Sequence, residues 1–156
     1  MPSIKIINEY PSLFLLQPAF ERMAYHIACK EQIAIKCVSV IVTDDAKLNE
    51  LKKRYFGEDL LTDTISFNYN EPNEPIEGEI YLSIDRIREN AVQIKCDFEK
   101  ELANVFIHSL LHLLGYNDDT VRNSKQMSAL QNFYLHQLNT TRLYRNRFKP
   151  VLKTND

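Results

Sequence analysis

The run His108-Ser109-Leu110-Leu111-His112-Leu113-Leu114-Gly115-Tyr116-Asn117-Asp118 constrains this chain more than any other segment. It reads as the end of a leucine-rich helix that starts near Phe98 and stops at Gly115, a residue that tolerates positive φ at little cost. Side chains four apart lie on one helical face, so the imidazoles of His108 and His112 can grip one divalent ion. Beyond Gly115 the chain can turn back and bring Asp118 to the same point, with Asp119 as the neighbouring alternative. Three protein ligands and a vacant fourth position describe a catalytic zinc site rather than a structural one.

A His-x-x-x-His pair on a leucine-rich helix also occurs as ordinary core or surface histidine. Gly115 and Asp118 narrow the reading, because the full spacing follows the elongated zinc motif of the metzincin type. Peptidases of that pattern carry Glu directly after the first His as general base. Ser109 stands there instead, so a metal hydrolase is favoured over a zinc peptidase.

The chain has 156 residues, which points to one domain. Its 44% hydrophobic and 26% charged residues fit a soluble globular protein, and a net charge of −2 makes no global case for nucleic acid. Cys29, Cys37 and Cys96 form no Cys-x-x-Cys pair and read as reduced, mostly buried thiols. The start Met1-Pro2-Ser3-Ile4-Lys5 has no secretory pattern, and no apolar run approaches a membrane span. A cytoplasmic location is expected.

Patterning gives the order β-α-β-α-β-β-α-α-α. The strands are Ile4 to Asn8, Cys37 to Thr43, Asp63 to Tyr69 and Gly78 to Ile84, the last two paired antiparallel. The helices run from Ser12 (as N-cap) to about Ile33, from an Asp44 or Asp45 cap through Tyr55, from Asp85 through Ile94, from Phe98 through Leu114, and from about Ser124 to Leu138. Such an order predicts an α+β fold: a small four-stranded mixed sheet with about five helices packed against it, one of them a metzincin-like metal helix. The domain is expected over 1–139. Residues 140–156, with Arg142, Arg145, Arg147, Lys149 and Lys153, form a basic C-terminal extension, read either as a solvated tail or as a phosphate contact.

Other chemistries find no support. Gly57, Gly78 and Gly115 are the only glycines, so neither a dinucleotide fingerprint nor a P-loop exists, and no nucleotide cofactor is expected. There is no Gly-x-Ser-x-Gly elbow. His26 and His136 lie within helical patterns and read as structural.

On these residues the chain resembles the YbeY family, bacterial endoribonucleases and ribosomal RNA maturation factors. The family motif His-Gly-x-Leu-His-Leu-x-Gly-Tyr-Asp-His corresponds to His108 through Asp118. Upstream, Leu48-Asn49 with Leu61-Thr62-Asp63-Thr64-Ile65-Ser66-Phe67 looks like the family's Leu-Asn … Thr-Asp-Val-Leu-Ser-Phe, and Gly78-Glu79-Ile80 like its Gly-Asp-Ile. Asn90-Ala91 and Met127 fall in similar places, so the likeness spans about Asn8 to Leu138. Ser109 replaces glycine, Asn117 replaces aspartate, and Asp118 stands where histidine is usual. Aspartate is a legitimate zinc ligand, though its harder oxygen relaxes the preference for zinc.

The resemblance implies a zinc-dependent endoribonuclease specific for single-stranded RNA, acting on ribosomal RNA and the small ribosomal subunit in maturation and quality control. One Zn2+ would be held by His108, His112, Asp118 and a water. The family's arginine after Leu-Asn has Arg54 as its nearest counterpart, a candidate contact to RNA phosphate or the transition state. Lys52 and Lys53 beside it read first as a solvated helix face and second as a phosphate contact, and Tyr55, Phe56, Phe67 and Tyr69 first as core and second as base-stacking residues. Two rival readings remain: a non-catalytic ribosome-assembly or RNA-binding factor with a structural metal, and a metallopeptidase with a displaced base.

Overall fold

The computed structural model describes residues 2–146. Four strands form one mixed sheet: β1 (Ser3–Asn8), β3 (Ile35–Thr43), β4 (Thr64–Asn68) and β5 (Ile76–Ser83), in the order β1-β3-β5-β4. The first three in that order run parallel, and β4 closes the edge antiparallel to β5. A short β2 (Leu13–Leu15) pairs antiparallel with β6 (Tyr144–Asn146) in a separate two-stranded ribbon. Five helices complete the chain: α1 (Gln17–Glu31), α2 (Asp45–Phe56), α3 (Ile84–Ile94), α4 (Phe98–Leu113) and α5 (Val121–Gln137). The α+β class expected from patterning is the one found.

Side chains alternate across a strand, so β5 serves two layers at once. Ile80 and Leu82, with Val38, Val40 and Val42 of β3, face the main core, where α1 and α4 contribute Phe20, Met23, Ile27, Phe106, Leu110 and Leu111. Ile65 of β4 turns the other way, onto Leu48 and Leu51 of α2, with Phe67 and Tyr81 packed beside them. Val40 to Thr43 of β3 are buried on both faces, which explains the continuous apolar run Val-Ile-Val there, whereas β1 leaves Lys5 and Ile7 exposed.

Caps account for several boundaries. Asp44 accepts from the Lys47 amide at 2.9 Å and starts α2, and Gly57 ends it at φ +64°. Ser83, rather than Asp85, caps α3 by accepting from the Arg86 amide. Thr120 caps α5, which begins at Val121, three residues before the expected start.

The first helix departs most from expectation. It begins at Gln17, not after Ser12, because Leu13 and Leu15 are drawn into the core as a strand. Asn8 Oδ1 accepts from the Leu15 amide, the Leu143 carbonyl accepts from the Leu16 amide, and Pro18 suits the first helical turn. The partner strand lies 129 residues later in the chain (144 minus 15), beyond the reach of local pattern. Leu143 is fully buried, and its amide donates to Glu99. Arg147, Lys149 and Lys153 lie outside the described residues. The cysteines also differ from expectation: Cys29 is exposed, and Cys37 and Cys96 are half-buried.

Candidate metal centre

Three contacts hold α4 against the sheet. Ser109, fully buried, donates to the Val105 carbonyl at 2.8 Å and meets Thr64 Oγ1 at 2.7 Å. Asn68 of β4 donates to the Leu113 carbonyl at 2.9 Å. Opposite Leu113 the sheet presents Gly78, where a Cβ would lie 2.6 Å from the Phe67 carbonyl oxygen and 3.0 Å from a Leu113 methyl. The missing side chain therefore allows helix and sheet to approach closely.

Docked in this way, α4 turns His108 and His112 into a cleft of about 370 Å³. Their Nε2 atoms are 3.1 Å apart. At Gly115 the chain takes φ +108°, its amide donating to the His112 carbonyl, and the Tyr116 hydroxyl donates to Glu31 of α1. That tether returns Asp118, whose Oδ2 stands 3.5 Å from His108 Nε2 and 3.6 Å from His112 Nε2. Asp119 is engaged elsewhere, accepting from Asn123 at 2.9 Å.

The donor set suits an ion. Bonds of 2.0–2.1 Å to a tetrahedral zinc separate neighbouring donors by about 3.3 Å, close to the three separations found. Burial, then the neighbouring His108, push His112 below the ordinary histidine range, which favours a free lone pair. His108 Nδ1 lies 2.9 Å from Gln131 Oε1, an acceptor that requires the proton on Nδ1 and frees Nε2. His108, His112 and Asp118 could thus hold a metal ion, and the two histidines line the cleft. His26 and His136 bond to Gln137 and to the Asn132 carbonyl, away from this group.

The cleft is walled by β4 and α2. Lys52 and Phe56, one helical turn apart, line it, and the Lys52 ammonium lies 4.6 Å from the centre of the Phe56 ring. Arg54 falls between them in sequence and so about 200° round the helix, on the exposed surface and outside the cleft lining. Phe67 lies beneath, between Tyr55, Phe56 and Tyr81. Tyr55, Phe56 and Tyr69 remain exposed.

Asp63 lines the same cleft, and sequence reading passed over its role. Burial raises its carboxyl above the usual range, against the charge of His108 and a hydrogen bond from Asn90. Its visible signal was the Thr62-Asp63 pair ahead of a strand, which carries no chemistry until β4 lies beside α4.

Two helix-borne histidines and a loop aspartate, beside a cleft at the antiparallel edge of a small mixed sheet, define an α+β protein with a donor group that could hold an ion. The comparisons narrow the class. The family model for endoribonuclease YbeY matches residues 6–139. The chain is 38% identical over 111 residues to endoribonuclease YbeY of Amoebophilus asiaticus, covering 71% of this chain and 76% of the relative. Identity to the Chlorobium limicola protein of the same name is 35% over 123 residues, covering 79% and 85%. A solution structure from Thermotoga maritima superposes with a TM-score of 0.60 at 31% identity, covering 86% of this chain and 87% of that one. The chain belongs to the YbeY endoribonuclease family.

Proposed function

We propose that this protein is a metal-dependent endoribonuclease that cleaves single-stranded RNA during ribosomal RNA maturation and quality control. The observation that carries the reading is the convergence of Asp118 on His108 and His112, which line a cleft walled by a lysine, an aromatic ring and a carboxylate. A zinc ion there would supply Lewis acidity and lower the pKa of a water to about 7. His108 and His112 would hold it through Nε2, and Asp118 through a carboxylate oxygen.

Asp63 is the group on the cleft wall suited to take a proton, since burial raises its basicity. Lys52 neutralises the phosphate at the reacting bond. Arg54, on the outer face of α2, serves a phosphate further along the strand. Tyr55, Phe56 and Tyr69 offer ring faces to unpaired bases, a mode of binding open to single strands and closed to a stacked duplex. The small ribosomal subunit is the proposed source of the RNA, and the cytoplasm the proposed location. No helix among the described residues is long and apolar enough to cross a membrane.

The second reading, an RNA-binding assembly factor with a structural metal, draws on Ser109, which occupies the peptidase base position and faces the sheet. Elemental analysis with an RNA cleavage assay separates the two. The expected result is one zinc per chain, cleavage lost on chelation and restored by zinc, and both lost in His112→Ala. Undiminished cleavage by metal-free His112→Ala would sink the proposal. RNA binding without cleavage by the zinc-loaded protein would favour the assembly factor.

A further inference from the structure

Adjoining the cleft, and sharing Asp63, Thr64 and His108 with it, lies a smaller cavity of about 140 Å³ lined also by Glu101, Asn104 and Gln131. Glu101 is a buried carboxylate on α4, and Asn104 Nδ2 lies 3.4 Å from its Oε1. Asn104 Oδ1 is 3.1 Å from Gln131 Nε2, and Gln131 Oε1 is 2.9 Å from His108 Nδ1. The four side chains form one continuous line from a buried acid to a candidate metal ligand.

The line has a direction. A carboxylate only accepts, so Asn104 must turn its NH2 to Glu101 and its carbonyl to Gln131. Gln131 must then donate to Asn104 and present its own carbonyl to His108. That carbonyl accepts, so the His108 proton sits on Nδ1 and the Nε2 lone pair points at His112 and Asp118. Neither amide can flip alone without placing two donors or two acceptors face to face. Gln131 by itself has no such bias, since either end of its amide can meet an imidazole nitrogen.

We propose that Glu101 is a positioning residue which, through Asn104 and Gln131, sets the tautomer of His108 and so prepares the site for an ion. The inference rests on the metal-site reading given above and deepens it. It assigns the selection of the ligating nitrogen to a residue seven positions before His108 and to a second helix, α5.

Two measurements test it on the full chain. The first is the ring nitrogen shifts of His108 in the metal-free protein, which report the tautomer directly. The second is zinc affinity by competition with a chelator. Wild type is expected to show Nδ1–H. Gln131→Leu, at a half-buried site that tolerates leucine, is expected to shift His108 toward Nε2–H and weaken zinc binding about 10–100-fold. Gln131→Glu, which still accepts from Nδ1–H but cannot donate to Asn104, should return the tautomer to Nδ1–H. Glu101→Leu, an apolar replacement in a buried site, should move the tautomer in the same direction as Gln131→Leu, with Gln131 intact.

Unchanged nitrogen shifts and affinity in Gln131→Leu overturn the proposal. A change in Gln131→Leu with none in Glu101→Leu overturns the part assigned to Glu101. Failure of wild type to bind zinc would defeat the metal reading instead, and the nitrogen shifts distinguish that case because they are read without metal.

Discussion

Thr64 and Ser109 share a partly buried hydrogen bond of 2.7 Å that joins the edge strand β4 to the helix carrying both histidines. The serine hydroxyl also donates to the Val105 carbonyl, so its single proton is committed and it accepts from Thr64. A residue held this way faces the sheet and takes no proton from water. Ser109→Ala should therefore destabilise the fold by about 1 kcal/mol through the lost bond, while RNA cleavage per folded molecule stays within about threefold of wild type. Chemical denaturation and single-turnover cleavage check both parts. A hundredfold loss of rate with little loss of stability would give Ser109 a role in the reaction.

Asp63 leads to a paired prediction for rate and stability. Asp63→Asn removes the proposed proton acceptor and should slow cleavage about 10²–10⁴-fold. Zinc content should remain, because Asp63 lies outside the donor set. The folded carboxyl holds its proton more tightly than the unfolded one, since burial raises it. Between the ordinary aspartate value of about 3.9 and that raised value the native state binds more protons, so Asp63 makes stability fall as pH rises through the window. Asp63→Asn should accordingly be more stable than wild type at neutral pH and lose the advantage in acid. Thermal melts at pH 3 and pH 7 measure the crossover.

The two cations of α2 should behave differently. Lys52→Ala is expected to weaken single-stranded RNA binding and lower its salt slope by about 1, and to slow cleavage because Lys52 lines the cleft. Arg54→Ala should reduce affinity alone and leave the single-turnover rate unchanged. Phe56→Ala should cost about 1–3 kcal/mol of binding, the range for loss of one stacked base. Equal effects of Lys52→Ala and Arg54→Ala on the cleavage rate would mean that the RNA path crosses the outer face of α2.

Gly78 sets how close α4 comes to the sheet. Gly78→Ala forces a methyl to within 2.6 Å of a backbone oxygen that cannot move freely, and should cost about 1–3 kcal/mol as overpacking does. Because Leu113 adjoins His112, zinc affinity should fall as well. Denaturant midpoints and chelator competition read the two effects.

Much of this protein was legible in its sequence because the relevant signals were local. His108 and His112 share a face through helical geometry alone, Gly115 marks the turn that returns Asp118, and alternation in β4 and β5 marked the antiparallel edge. Tertiary structure decided what depends on neighbours distant in the chain. The strand at Leu13–Leu15 exists because Tyr144–Asn146 pairs with it, a contact no local window contains. Lys52, rather than Arg54, meets the cleft because the docking of α2 on Ile65 fixes which side of that helix faces β4. Asp63, Glu101, Asn104 and Gln131 acquire their chemistry from burial and from one another, and none of the four can be assigned until α4, α5 and the sheet have closed around them.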